Sequence, residues 1–216
     1  MLVTRVGLSR LRTTKTLEGL LGGSARIGIT PSETRHLGVA STAREDSHRT
    51  ILDQDSWDLT RFIECGGPLL LDHGWDWDVG YEPIGRFLTE GETAIRVEGT
   101  GKDARLLGEF FFDEPPEDTI DPVELTTRRI ERKVRAGFIT GLSVGFRYRT
   151  IRALHELPED HWAYDADKDR GASFLSGLIL HEITVTAFPS NLDGSITPER
   201  AVHLPDSSSP PTLLWG

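Results

Sequence analysis

Apolar and polar residues alternating at every second position narrow most sharply what this chain can fold into. The pattern runs through "IGRFLTE", "TAIRVEG", "RLLGEFFF", "FITGLSVGFRYRT" and "LILHEITVTAF". A period of two suits half-buried strands and does not suit helices. The gaps "GE" and "GTGKDA" carry glycine, so tight hairpins are expected among the first three. Upstream, "HLGVAST" is β-like and "REDSHRT" reads as a polar turn before "ILDQ". "TRFIECGGPLLLDHG" predicts a short helix or strand, a Gly-Gly-Pro break, and an apolar run from Leu69 to Leu71 that ends at Asp72 and His73.

The period changes once. Asp121 can cap a helix with Pro122 first inside it and Glu124 third, the reciprocal capping arrangement. Val123, Ile130 and Val134 then share a face, Arg and Lys crowd the C-terminal half, and Gly137 is placed to end the helix. The run "RRIERKVR" reads as its solvated side. "HELPEDHWAYDADKDRGA" is expected to be a surface excursion. Together these segments predict a β-rich α+β domain over residues 35–195. Residues 1–34 lack clear periodicity and are expected to form a partly disordered arm. Residues 196–216, with "LPDSSSPP", are expected to be a disordered Ser/Pro-rich tail.

The chain has 216 residues, enough to bury roughly 70% of its unfolded surface without disulfides or metal. Its net charge of −10 argues against a general nucleic-acid binder, which needs a basic face. Cys65 is the only cysteine, so no intramolecular disulfide or Cys-based zinc cluster is available and a reducing compartment is expected. No apolar run approaches the ~18 residues that span a bilayer, and the N-terminal residues carry no signal-peptide pattern.

Three residues on polar faces have parts for nucleophilic chemistry. In "GLSVGF", Ser143 stands opposite Leu142, Val144 and Phe146, beside a Gly145 that clears space for a close approach. His73 ends an apolar strand. Glu182, Thr184 and Thr186 alternate with Ile183, Val185 and Ala187. A serine needs a base, and the base needs an orienting group. Spacing alone leaves the structural and catalytic readings of all three open.

"GPLLLDH", "PIGRF", "GLSVGF" after a helix, and "HEITVTAFPSN" together resemble the prohead proteases of tailed bacteriophages. The likeness is colinear from about Leu37 to Asn191, and "GVASTAREDSHRTIL" looks like that family's opening strand pair. The family is similar in fold to herpesvirus capsid-maturation proteases. The resemblance therefore implies a closed, mostly antiparallel β-barrel surrounded by a few helices. It also implies a serine endopeptidase without cofactor or metal, with Ser143 as nucleophile, His73 as base and then acid, and Glu182 orienting His73. Its substrates would be scaffold protein or the scaffold-like arm of the major capsid protein, and the protease itself. It would work inside the assembling prohead in the host bacterial cytoplasm, away from nucleic acid and membrane, as a monomer or homo-oligomer.

His181 precedes Glu182, and herpesvirus relatives use a second histidine as third member. On a regular strand adjacent residues face opposite ways, and Glu182 is favoured because it shares a face with Thr184 and Thr186. Other readings are a divalent-metal site at Asp72, His73, Asp76 and Asp78, and a stacking platform at Trp75 and Trp77, which are rather expected to cover the barrel edge. A further alternative is an inactive capsid or scaffold component of the same fold.

Overall fold

The computed structural model describes residues 34–77, 79–166 and 171–197. The expected arm and tail lie outside the described residues except for Thr34, Ile196 and Thr197. The alternating segments become one curved sheet of β11 (Ser195–Thr197), β1 (His36–Thr42), β6 (Arg105–Phe112), β4 (Gly85–Phe87), β3 (Pro68–Leu71), β10 (Ile179–Thr186) and β7 (Gly141–Arg147), in that order, with β5 (Arg96–Glu98) also on β6. Its two ends come together where the Ile196 N–H donates to Thr140 O at 2.7 Å and the Leu142 N–H to Gly194 O at 3.5 Å. The result is a nearly closed, mixed β-barrel with few helices. Its described pairings are antiparallel except β3 with β10, which run parallel.

Inward side chains fill the barrel. Leu69, Ile84, Phe87, Leu106, Phe110, Phe112, Leu142, Leu180, Ile183 and Val185 are all buried in one cluster. α1 (Thr60–Glu64) adds the fully buried Phe62. α2 (Pro122–Arg135) adds Ile130 and Val134, with Val123 packed alongside. Asp121 caps α2 as its spacing predicts, accepting from the Val123 N–H at 2.8 Å and the Glu124 N–H at 3.3 Å. The reciprocal half differs: Glu124 bonds the Thr119 hydroxyl, and that hydroxyl accepts from the Asp121 N–H. Gly137, at φ 74°, takes the left-handed conformation that ends the helix. Arg129, Arg132, Lys133 and Arg135 point to solvent. No described helix is long and apolar enough to cross a membrane.

The hairpin expectation needs correction. β5 and β6 form one, but β4 does not pair with β5. Both lie along one edge of β6, and residues 88–95 bridge them. The opening strands also part company. β2 (Thr50–Leu52) leaves the barrel for a second, three-stranded sheet with β9 (Ser173–Ser176) and β8 (Thr150–Ala153). The polar excursion is more structured than its composition suggests. Leu154, Leu157, Ala163 and Ala172 pack with Phe174 into a small core of their own. A few well-spaced apolar residues sufficed where no periodicity was visible.

His36 opens β1 fully buried, stacked on Phe110 at 5.3 Å and edge-on to Phe112, with neither ring nitrogen hydrogen-bonded. Burial, helped by the charge of Arg135, lowers its pKa to about 4. The unfolded chain takes up this proton near 6.5 while the folded one resists until about 4, so stability falls as pH drops through that window. The loss attributable to His36 is about 3 kcal/mol. Urea unfolding of wild type and His36→Leu across pH 4–7 should show this slope in wild type and its removal in the variant. Identical slopes would mean that the imidazole is not sequestered.

Candidate active site

β10 lies between β3 and β7, and that position brings the three candidate residues together. On one side, Thr184 pairs with Ser143 of β7; on the other, Thr184 and Val185 pair with Leu70 and Leu71 of β3. Immediately after Leu71 the chain turns through Asp72 and His73 at φ 45° and 57°. This left-handed region is costly for residues other than glycine, by roughly 1–3 kcal/mol each. Side chains of β10 hold the turn. The Thr184 hydroxyl accepts from the His73 N–H at 2.9 Å and donates to Leu70 O at 3.1 Å, and the Thr186 hydroxyl donates to Asp72 Oδ1 at 3.2 Å.

The imidazole sits between two partners. His73 Nδ1 is 2.7 Å from Glu182 Oε1, and His73 Nε2 is 3.2 Å from Ser143 Oγ. With the proton on Nδ1 donated to the carboxylate, Nε2 is the acceptor for the serine hydroxyl. That is the tautomer a general base requires. Glu182 Oε2 is buried with no hydrogen-bond partner, so the carboxylate's described hydrogen bond is the one to His73. The His73 pKa is raised above its ordinary 6.5, first by the hydrogen bond that its ring donates to Glu182; burial opposes this, and the charges of Glu182 and Asp72 reinforce it. Ser143 itself is 5% exposed.

Gly145 explains how a carboxylate from the neighbouring strand fits here. It is directly across from Glu182, and a Cβ built on it would collide with Glu182 Oε1 and crowd Cδ and Cγ. The glycine seen two residues after Ser143 leaves the space that the carboxylate occupies.

The His181 expectation is corrected in its reasoning. β10 is not regular, because the register with β7 shifts between Leu180 and Glu182. Leu180 and Ile183, three apart, both enter the barrel core, which strict alternation forbids and a bulge allows. Even so, Glu182 is the residue that meets His73. His181 Nε2 is buried without a partner.

Among the described residues no group of three or more His, Cys, Asp or Glu is gathered in a metal-binding arrangement. Asp72 accepts from Thr186 and Asp76 from the Val79 N–H, while Asp78 lies outside the described residues. Trp75 and Trp77 do not cover the barrel edge: they are 72% and 101% exposed, although Trp75 leans against the His73 ring at 5.7 Å.

The site opens into a cleft of about 430 Å³, lined by His73, Trp75, Ser143 and the β7 residues that follow, and by Leu52, Leu175, Ser190 and Asn191 from other parts of the chain. Sequence reasoning missed this wall because β9 carries no alternation. Asn191, the last residue of the "HEITVTAFPSN" stretch, is buried and ties its loop to β1 by donating to Thr42 O at 3.0 Å and Arg44 O at 3.4 Å.

Gly145→Ala should displace Glu182 while leaving the barrel folded, because the side chain that must yield is a flexible one. The His73 pKa, followed by NMR titration, should then drop below the wild-type value, since burial remains and the carboxylate does not. An unchanged titration would show that Glu182 does not control His73. The chain matches no family model, no curated protein and no solved structure, so a functional reading rests on its own residues.

Proposed function

We propose that this protein is a serine endopeptidase of bacteriophage head maturation. The observation that carries the enzymatic part is the Ser143–His73–Glu182 alignment at 3.2 and 2.7 Å, open to a cleft. His73 Nε2 takes the Ser143 proton as Oγ attacks a peptide carbonyl, and returns it to the leaving amine. Water then repeats the cycle on the acyl-enzyme with His73 again as base. Glu182 keeps Nδ1 protonated and stabilises the imidazolium. No cofactor or metal is needed for these steps.

The cleft supports a polypeptide substrate. The Leu142 N–H faces Gly194, and alternation turns the Val144 backbone to the same edge, beyond which no described strand pairs with β7. An extended chain laid along that edge beyond Leu142, beside Val144, would pass Ser143 as an added strand. The phage assignment draws on the colinear motifs around His73, Ser143 and Glu182, and the barrel is read as a variant of the capsid-maturation protease barrel. Scaffold and major capsid protein are the proposed substrates, inside the prohead in the bacterial cytoplasm.

Co-expression with a phage major capsid protein from the same genome, followed by mass spectrometry of fragment termini, tests the proposal. Wild type should generate defined new termini, and a folded Ser143→Ala protein none, since losing a triad nucleophile costs on the order of a million-fold. Capsid protein cleaved equally by both would contradict it.

The pH profile is a second test. Activity needs neutral His73, whose pKa is raised, so kcat/KM should climb with pH through an apparent ionisation above 6.5. Glu182→Gln removes the cause of that elevation. Its residual activity, down roughly 10⁴-fold, should show the acid limb at lower pH. His181→Ala should leave both rate and limb near wild type. A dead His181→Ala beside an active Glu182→Gln would reverse the assignment.

A further inference from the structure

Past Ser143 the cleft changes character. Val144 and Phe146 continue along β7, and Leu52 of β2 and Leu175 of β9 face them from the second sheet. Leu52 and Leu175 are 3% and 4% exposed, held in one apolar cluster with Leu178, against which Val144 and Phe146 pack. This surface is therefore a face of a packed core that opens into the cleft beside the nucleophile.

The wall is also fixed in place. Gln54 is fully buried and uses both ends of its amide. Nε2 donates to Ser41 Oγ at 2.9 Å, Thr42 O at 3.0 Å and Leu52 O at 3.2 Å, while Oε1 accepts from Trp57 Nε1 at 2.9 Å. Trp57 in turn packs edge-on against Phe146, with ring centroids 5.7 Å apart. One buried amide thus joins the end of β1 to β2 and, through Trp57, to the β7 side of the wall.

The polar residues lining the same cleft are largely engaged within the protein. Asp46 accepts from the His48 N–H, the Thr50 N–H and the Thr50 hydroxyl at 2.9, 2.9 and 2.7 Å. His48 Nε2 is 3.3 Å from Ser190 Oγ. A charged substrate side chain directed at Leu52 and Leu175 would lose hydration and gain no partner there. An aliphatic one would lose only water contact with its own apolar surface, which is favourable.

Building on the protease proposal, we infer that the second sheet is a specificity element, and that the cleft selects substrates with an aliphatic side chain close to the scissile bond. Discrimination by an apolar pocket is bounded: Leu over Ala at that position should be worth roughly 10- to 200-fold in kcat/KM.

The test uses the full chain and a peptide library of mixed composition, with every cleavage mapped by mass spectrometry and Ser143→Ala as the blank. The inference expects cleavage sites enriched in Leu, Ile, Val or Met at one fixed position near the cut, with Lys and Glu depleted there. Leu175→Ala, which deepens the wall, should shift that position toward Phe. If Leu175→Ala fails to fold, Phe146→Leu, at a half-buried position of the same wall, should give the same shift. Ser143-dependent cleavage that is indifferent to side chain, or that favours Lys through Asp46, would overturn the inference and leave the protease proposal standing. Cleavage no greater than in the Ser143→Ala blank would remove both.

Discussion

The structure depends above all on how β10 is shared between β3 and β7. That placement makes Val185 and Ile183 part of the barrel core while the opposite, polar side of the same strand faces the turn after β3. Glu182 bonds the His73 ring, Thr184 the His73 main chain, and Thr186 the Asp72 carboxylate. Two consecutive left-handed residues would be costly in isolation. Here three side chains from one strand hold them, so the strain is carried by a region that the core already makes rigid. The left-handed turn and the hydrogen bond to Glu182 place Nε2 beside Ser143.

Much of this was legible from residue order. Alternation located β6, β7 and β10, and an unbroken apolar run located β3; alternation also put Glu182, Thr184 and Thr186 on one face, where they stand. Asp121, Pro122 and Gly137 bounded α2 because capping is local chemistry, readable within a few residues. The space beside Gly145 was visible as a missing side chain, but its occupant was not, since that depends on register between strands about forty residues apart.

What was not legible is long-range or irregular. A bulge at Leu180–Glu182 breaks the period used to separate His181 from Glu182, and nothing in "LILHEITV" marks it. The pairing of β2 with β9 joins segments more than a hundred residues apart, and "SFLS" is too short to show a pattern. The left-handed turn at Asp72–His73 defies local preference, since neither residue is glycine. All three departures lie at the candidate site or along the wall of its cleft. Local rules are expected to fail where a fold gives up regularity to position functional groups.

The central claim is that this arrangement makes Ser143 nucleophilic. Its most direct test is reaction of the folded protein with a fluorophosphonate at neutral pH, followed by mass spectrometry of the modified peptide. One adduct should form, on Ser143, and its rate should collapse in folded His73→Ala. Absence of an adduct, an adduct on another serine, or equal labelling without His73 would contradict the claim, because a strand hydroxyl with no base behaves like any other serine.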